Sequence, residues 1–285
     1  MIVKIPSSKQ IRMFWFLCGT LYGLFLPLRA SSHGDVHERI AVLTRQIGRE
    51  TNNAGFFLQR GELYRQHQDW GDAAADYDQA ARLDPQLAIV GFCRARMFAE
   101  KGDLVVARAG FDEYLRRCPE DGRGFAARAR LLVRMNERKS AVRDFTRAIE
   151  LSREPGPELF LERAQLRIAE GQESEALRGL DDGVAKLGSL ISLQTCALDI
   201  ELSRTNYDGA FTRLQAIIDA SPRKESALAR RGQIELNAGL TLAAKRSFEA
   251  SLSAVDALPE RLRQSEAMVE LRAKVEAELR AINMR

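Results

Sequence analysis

Histidine and cysteine are scarce in this chain of 285 residues, which contains three histidines and four cysteines. So few cysteines, widely spaced, do not form a disulfide framework, and a chain of this length buries enough core without one; pairing of Cys93 with Cys118 is left open. His33 and His37 could share a helix face, but no cluster of cysteines or carboxylates is placed to complete a metal site with them. The sequence also has no glycine-rich phosphate loop and no serine-centred elbow. We therefore expect no catalytic residues, no cofactor and no metal.

Positive and negative charges nearly balance. The chain has 43 basic and 39 acidic residues. Residues 1–32 hold four of the basic residues and no acidic one, so the remainder has 39 of each sign. A neutral remainder lacks the basic surface that nucleic acids require. Nucleic acid is therefore not an expected partner.

The N-terminus begins with basic residues and continues with an uncharged, largely apolar run over residues 13–28. Ala30 and Ser32 then supply small side chains before His33. This order is typical of a secretory signal peptide, and the run is shorter than the roughly 20 residues that a membrane span needs. We expect a signal peptide of residues 1–32, cleavage between Ser32 and His33, and a secreted or periplasmic product. The alternative is an uncleaved anchor that keeps residues 13–28 in the membrane, with the chain facing the periplasm.

Beyond this segment, an alanine recurs every 34 or 35 residues. The alanine column is Ala73, Ala107, Ala141, Ala176, Ala210 and Ala244. Four residues later comes a bulky apolar column of Tyr77, Phe111, Phe145, Leu180, Leu214 and Phe248. Twelve residues earlier comes a mostly small column of Gly61, Ala95, Ala129, Ala164, Leu198 and Gly232. Five residues before each alanine comes a column mostly of helix-ending types, Gln68, Gly102, Asn136, Gly171, Thr205 and Gly239. A period of this length indicates a solenoid.

Each period predicts two antiparallel helices. In residues 54–87, apolar residues recur at helical spacing in both halves. Pro85 closes the unit, because proline cannot continue a helix interior. Gly61 and Ala73 lie on facing stripes, where small side chains let the two backbones approach closely. One hairpin of this size cannot bury its own core, so we expect successive hairpins to stack.

The first unit resembles the tetratricopeptide repeat family through Phe57, Gly61, Tyr64, Ala73, Tyr77, Ala80 and Pro85. The resemblance implies an all-α fold, a right-handed α-solenoid of about six helical hairpins with helical caps at both ends. One extra residue in the period, near Ser152, falls between two hairpins. The expected segments are a capping helix at 33–53, repeats at 54–87, 88–121, 122–156, 157–190, 191–224 and 225–258, and a capping helix at 259–285.

An arginine stands one residue before the small column in five repeats, at Arg60, Arg94, Arg128, Arg163 and Arg231, with Ala197 as the exception. Asp76 and Asp144 precede the aromatic residues of two of these repeats. We predict ion pairs across the hairpin between Arg60 and Asp76 and between Arg128 and Asp144. A device that recurs in five repeats favours a structural role over a ligand site.

The resemblance also implies that the first helix of each repeat lines an inner, concave surface. The candidate partner-binding residues on that surface are Phe92, Arg96, Arg123, Arg130 and Arg134. A planar guanidinium suits carboxylates, so we expect a protein or peptide partner with an acidic segment; a solvated, arginine-rich face is the alternative. The family's clamp for C-terminal carboxylates uses lysine and asparagine at places held here by Leu58, Glu62, Phe92 and Arg96, so that specificity does not carry over.

The predicted function is that of an exported, non-enzymatic interaction scaffold or assembly factor that binds a peptide or protein segment in the groove. A membrane-anchored adaptor that retains residues 13–28 is the main alternative, and the membrane is a partner only in that case. An envelope hydrolase with an unrecognised site is the alternative from another class. A repeat fold of this kind serves many unrelated roles, so it names no partner.

Overall fold

The computed structural model describes residues 30–284, with side chains from residue 36 onward. Within this range, every regular element is a helix. The helices are α1 (Ala30–Arg49), α2 (Ala54–His67), α3 (Trp70–Leu83), α4 (Ile89–Lys101), α5 (Leu104–Arg117), α6 (Gly122–Arg134), α7 (Arg138–Leu151), α8 (Pro157–Ala169), α9 (Glu173–Leu187), α10 (Ile191–Ser203), α11 (Tyr207–Ala220), α12 (Glu225–Asn237), α13 (Thr241–Asp256), α14 (Glu260–Arg263) and α15 (Glu266–Asn283). These repeated helix pairs confirm the predicted all-α class.

The expected signal peptide falls mostly on residues 1–29, which lie outside the described residues. Because α1 begins at Ala30, the expected cleavage position between Ser32 and His33 falls in its first turn. Among the helices that the structure describes, none has the length and apolar character needed to cross a bilayer. Whether the N-terminal segment is cleaved therefore stays a prediction.

The chain divides into two compact units, Met1–Gly110 and Phe111–Arg285. In the first unit, α2 and α3 form a hairpin, and both α1 and α4 pack against it. In the second unit, α6 pairs with α7, α8 with α9, α10 with α11, and α12 with α13, and α15 packs on the last pair. Each unit thus repeats the same two-helix element.

The turns inside the hairpins use a left-handed backbone at the column that the sequence marks as helix-ending. The φ angles are +67° at Gln68, +102° at Gly102, +62° at Asn136, +74° at Gly171, +54° at Thr205 and +78° at Gly239. At the first of these turns, the amide of Gln68 donates to Arg65 O at 3.0 Å, and the next amide donates to Tyr64 O at 2.9 Å. These bonds satisfy carbonyls that the end of the helix leaves unpaired. The prediction that this column ends the first helix is confirmed in all six repeats.

The alanine column forms the floor of the core, since all six alanines are fully buried. The bulky column packs beside it, and Tyr77 and Phe145 are also fully buried. A Cβ added at Gly61 would lie 2.8 Å from Tyr77 Cε1, and one at Gly232 would lie 2.6 Å from a ring carbon of Phe248. Glycine is therefore needed at these two positions because an aromatic ring occupies the space that a side chain would take.

The ends of the chain differ in how closely they follow the sequence prediction. On α1, Leu43 is buried against α2, at the place where the repeat register puts the bulky column. The predicted C-terminal helix after Pro259 is instead divided by Gln264 and Ser265 into the short α14 and the long α15. Met268 and Val275 of α15 are buried.

The cysteines at 93, 118 and 196 are free thiols, so the bridge left open between the first two is not formed.

Candidate functional site

A cleft of about 500 Å³ opens in the first unit between α1, α2 and α4. The apolar side chains that line it are Val42, Leu43, Leu58, Leu63 and Cys93. The polar side chains at its edges are Arg39, Gln46, Gln59, Glu62 and Gln66. This combination can bury apolar side chains of a partner while offering hydrogen bonds to its backbone.

Glu62 is the centre of a hydrogen-bond network beside the cleft. The hydroxyl of Tyr77 donates to Glu62 Oε1 at 2.6 Å, and the Arg65 guanidinium donates to both carboxylate oxygens at 3.1 Å. Arg65 also donates to both oxygens of Glu100, on α4, at 2.5 and 2.6 Å. Arg65 is buried, so this arginine joins the first helices of two successive repeats rather than facing a ligand.

The network shifts the acidities of its members. Burial raises the pKa of Glu62, but the hydrogen bonds from Arg65 and Tyr77 outweigh it, so the pKa lies below its ordinary value. Burial and the bond to Glu62 raise the pKa of Tyr77. Burial, together with the nearby Glu62 charge, raises the pKa of the Cys93 thiol to about 12. Cys93 is therefore an unreactive thiol that packs as a small apolar side chain.

Arg96 differs from Arg65 in that its guanidinium makes no hydrogen bond to the nearby carboxylates. Its guanidinium lies 3.7 Å from Glu62 Oε2 and 4.0 Å from Glu100 Oε1, beyond hydrogen-bond distance in both cases. It stacks on the ring of Phe92 at 5.7 Å from the ring centroid, and its side chain is 37% exposed. The structure therefore brings together two of the five predicted residues, Phe92 and Arg96, and leaves the guanidinium donors of Arg96 without a hydrogen-bond acceptor among the described residues.

The other three predicted residues lie along α6 in the second unit. Arg123, at its start, donates to Asp121 at 3.0 Å, and its side chain is 78% exposed. Arg130 makes a bidentate pair with Glu162 of α8, with distances from 2.7 to 3.1 Å. The hydrogen bonds that Arg130 donates to Glu162 raise the pKa of Arg130 above its ordinary value. Arg134 is exposed in the last turn of α6. A partner carboxylate at Arg130 must therefore compete with Glu162.

The sequence did not reveal two parts of this surface. The wall formed by α1 was missed because the sequence interpretation treated this helix only as a cap. The role of Glu100 was missed because it lies outside the columns that recur. A usable signal was present in Tyr77: its hydroxyl, unlike the phenyl rings of the same column, needs a polar partner when it is buried.

The recurring arginines are structural, as predicted. Arg60 donates to Asp76 at 2.7 and 2.8 Å, and Arg128 donates to Asp144 at 2.7 and 2.9 Å. Arg128 also donates to Asp112, on the second helix of the preceding repeat, at 2.8 Å. Arg128 therefore ties its own hairpin to the one before it.

The exception at Ala197 has a compensating change. In that repeat, an arginine stands at position 213 on the second helix, where two other repeats have Asp76 and Asp144. Arg213 Nη1 lies 2.6 Å from Asp181 Oδ1. Asp181 occupies the column position of Asp112, so the guanidinium comes from the opposite helix and reaches the same place.

One family model matches part of the chain. Residues 58–122 match the family model of the tetratricopeptide repeat. This match supports the tetratricopeptide repeat interpretation of the chain, and it names no catalytic activity. No curated protein matches the chain.

Solved structures show the same fold. The C-terminal part of a tetratricopeptide repeat-containing protein from Cytophaga hutchinsonii aligns with a TM-score of 0.63 at 10% identity, over 81% of this chain and 94% of that chain. PilF of Pseudomonas aeruginosa aligns with a TM-score of 0.52 at 14% identity, over 80% and 99%. YrrB, described as a tetratricopeptide repeat protein with an unusual peptide-binding site, aligns with a TM-score of 0.50 at 23% identity, over 66% and 97%. At these identities the similarity concerns the fold alone.

Proposed function

We propose that this protein is an exported, non-enzymatic scaffold that binds a segment of a partner protein on the first-helix surface of its first unit. The observation that carries the proposal is the environment of the Arg96 guanidinium. Its guanidinium is held over Phe92 and beside two carboxylates, yet it makes no hydrogen bond to either carboxylate. A partner carboxylate can occupy these donors without first breaking a hydrogen bond within the protein.

The cleft beside Arg96 supplies the apolar part of the same interaction. Leu58 and Val42 line it, and Val42 is 39% exposed. A partner segment with an apolar side chain next to an acidic one therefore fits this surface. The description of YrrB as peptide-binding concerns a protein of similar fold and makes a peptide segment the natural first candidate for the partner.

Arg123, Arg130 and Arg134 form a separate candidate surface on the second unit, where a side chain that is already paired contributes less to binding. Replacing the Glu162 contact of Arg130 with a partner carboxylate exchanges one charge-assisted pair for another, so the net gain is small. We expect Arg96→Ala to weaken binding more than Arg130→Ala.

The binding proposal is tested by site-specific photo-crosslinking in the native host, with a benzophenone amino acid at Gln59, an exposed position at the edge of the cleft. The matched control is Ala75, an exposed position on the second helix of the same hairpin. We expect a discrete crosslinked partner from position 59 and none from position 75. Adding Arg96→Ala should lower the yield by about tenfold, which corresponds to about 1.4 kcal/mol. Equal crosslinking from both positions, or a yield unaffected by Arg96→Ala, contradicts the proposal.

Export is supported by the sequence order of residues 1–32. N-terminal sequencing of the protein isolated from its host tests it: a chain that starts at His33 supports export with cleavage. A chain that retains residues 13–28 and sediments with membranes supports the anchored adaptor instead.

A further inference from the structure

A second cavity lies in the second unit, where α12, α13 and α15 meet. Its volume is about 210 Å³. The apolar side chains that line it are Ala229, Phe248, Leu271 and Val275. Every residue of its lining belongs to Phe111–Arg285, so this cavity is separate from the cleft in the first unit.

The cavity keeps its shape because its floor belongs to the packed core. Phe248 and Val275 are almost fully buried, and both lie in the apolar cluster that joins α13 to α15. The helix α15 packs mainly on α13 and touches α12 at fewer places. Ala229 of α12 is half-buried and carries only a methyl group, so a gap remains between α12 and α15.

The size of the cavity fits one aromatic side chain. An apolar cavity of about 150 Å³ binds benzene, whereas pockets for drug-sized ligands have about 300–1,000 Å³. A volume of about 210 Å³ therefore accommodates a phenyl ring but not a larger ligand. The ring of Phe248 in the floor offers such a ring an aromatic contact.

The lining of the cavity carries more positive than negative charge. Arg230 and Lys274 are basic, and Glu278 is acidic. Arg230 is paired with Asp199 of α10. Lys274 is exposed and takes part in none of the ion pairs that α15 makes among the described residues. Its ammonium group can therefore pair with a carboxylate of a ligand without first losing an ion pair within the protein.

We propose that this cavity is a second protein-binding site, which takes one aromatic side chain of a partner peptide together with the carboxylate of the acidic residue that follows it. The ring fills the cavity against Phe248, and Lys274 pairs with the carboxylate at the rim. Glu278, one helical turn after Lys274, weakens this attraction because its charge has the same sign as that of the partner carboxylate. The site lies in a different unit from Arg96, so it does not depend on the function proposed for the cleft.

The test uses the purified full chain and two synthetic peptides that differ in one group, N-acetyl-Phe-Glu amide and N-acetyl-Phe-Gln amide. Saturation-transfer-difference NMR shows which protons of the peptide contact the protein, and titration gives the dissociation constant. We expect saturable binding of the first peptide, with the strongest transfer to its phenyl protons. The second peptide should bind about threefold more weakly, which is the size of effect expected for an exposed ion pair.

Three variants assign the binding to this cavity. Lys274→Gln should weaken binding of the Phe-Glu peptide about threefold and leave that of the Phe-Gln peptide unchanged. Glu278→Gln should strengthen binding of the Phe-Glu peptide. Ala229→Trp should abolish binding of both peptides, because the indole ring fills the cavity. The matched control is Lys186→Gln, the same change at an exposed lysine of α9 outside the cavity, which should have no effect.

Circular dichroism establishes that each variant is folded, and the two changes at the exposed rim decide the outcome if Ala229→Trp does not fold. Absence of saturable binding to the folded wild-type chain overturns the proposal. So does equal binding of the two peptides, or binding that is unaffected by Lys274→Gln. Concentration-dependent dimerisation in analytical ultracentrifugation that Ala229→Trp removes also overturns it, because that result assigns the cavity to a second copy of the chain.

Discussion

Arg128 shows what one recurring arginine contributes to a repeat. It donates to Asp144 and to Asp112, and its guanidinium stacks on Phe125 at 5.5 Å from the ring centroid. Asp144 is buried, and a buried carboxylate is costly unless it is paired. The arginine therefore makes an otherwise unfavourable buried charge acceptable and links two hairpins at the same time.

Removal of this guanidinium should destabilise the fold without affecting partner binding. Arg128→Ala leaves Asp144 without its bidentate partner, so we expect a loss of about 1–3 kcal/mol in the free energy of unfolding. Arg213→Ala is the matched comparison, because its partner Asp181 is half exposed and exposed pairs contribute about 0–1 kcal/mol. Denaturant unfolding of both variants measures the difference. Equal losses would mean that burial of the carboxylate does not govern the effect.

Glu62 should make stability depend on pH on the acidic side. Its pKa is lower in the folded state than in the unfolded chain, where a glutamate titrates near about 4.3. It therefore contributes stability that is present above that pH and is lost as the pH falls through the lower, folded value. Glu62→Gln should be less stable at neutral pH and should lose less stability between about pH 5 and pH 3. Unfolding curves for the two proteins that stay parallel over this range would contradict this account.

Within a helix pair, the turn between the two helices requires a left-handed backbone that some residues adopt only with strain. Thr205 adopts a φ of +54°, which is unfavourable for a β-branched residue. We expect Thr205→Gly to raise the free energy of unfolding by about 1 kcal/mol. The reciprocal change, Gly239→Thr, at the matching turn with a φ of +78°, should lower it by a similar amount. If both changes are neutral in thermal unfolding, these turns are not strained.

Close approach of the two helices in a pair can be tested in the same way. Gly61→Ala places a methyl group 2.8 Å from the ring of buried Tyr77, so overpacking should cost about 1–3 kcal/mol. Gly91→Ala is the control, because a Cβ there meets nothing within 4 Å and alanine favours a helix by up to about 1 kcal/mol. The two changes should shift the midpoint of denaturant unfolding in opposite directions. A shift in the same direction would show that helix propensity alone determines the result.

Over the whole molecule, the sequence predicts the fold class well because the same pattern of apolar, small and turn residues recurs in every repeat. The alanine, bulky and turn columns each recur six times, so the all-α class is predicted even where one repeat is weak, as in the repeat with Leu198 and Leu214. The break at Ser265 was not predicted because it lies outside the repeat register, and the wall formed by α1 was not predicted because that helix was interpreted only as a cap. The difference between Arg96 and Arg130 was also not predictable, because it depends on whether a glutamate of the next repeat comes within hydrogen-bond distance.

Arg96 differs from the paired arginines of the recurring column. Two arginines of the recurring column, Arg60 and Arg128, each make a bidentate pair with a carboxylate of their own hairpin. The Arg96 guanidinium stacks on the Phe92 ring and lies near two carboxylates that are beyond hydrogen-bond distance. We propose that these paired arginines maintain the fold and that Arg96 recognises the partner.

The most direct test measures stability and partner capture in the same two variants, Arg96→Ala and Arg128→Ala. The crosslinker at position 59 reports capture, and denaturant unfolding of the purified chains reports stability. We predict that Arg96→Ala loses about tenfold in capture with a midpoint close to wild type. We predict that Arg128→Ala keeps its capture while its unfolding midpoint falls. The reverse pattern, or the loss of both properties together in each variant, would contradict the account.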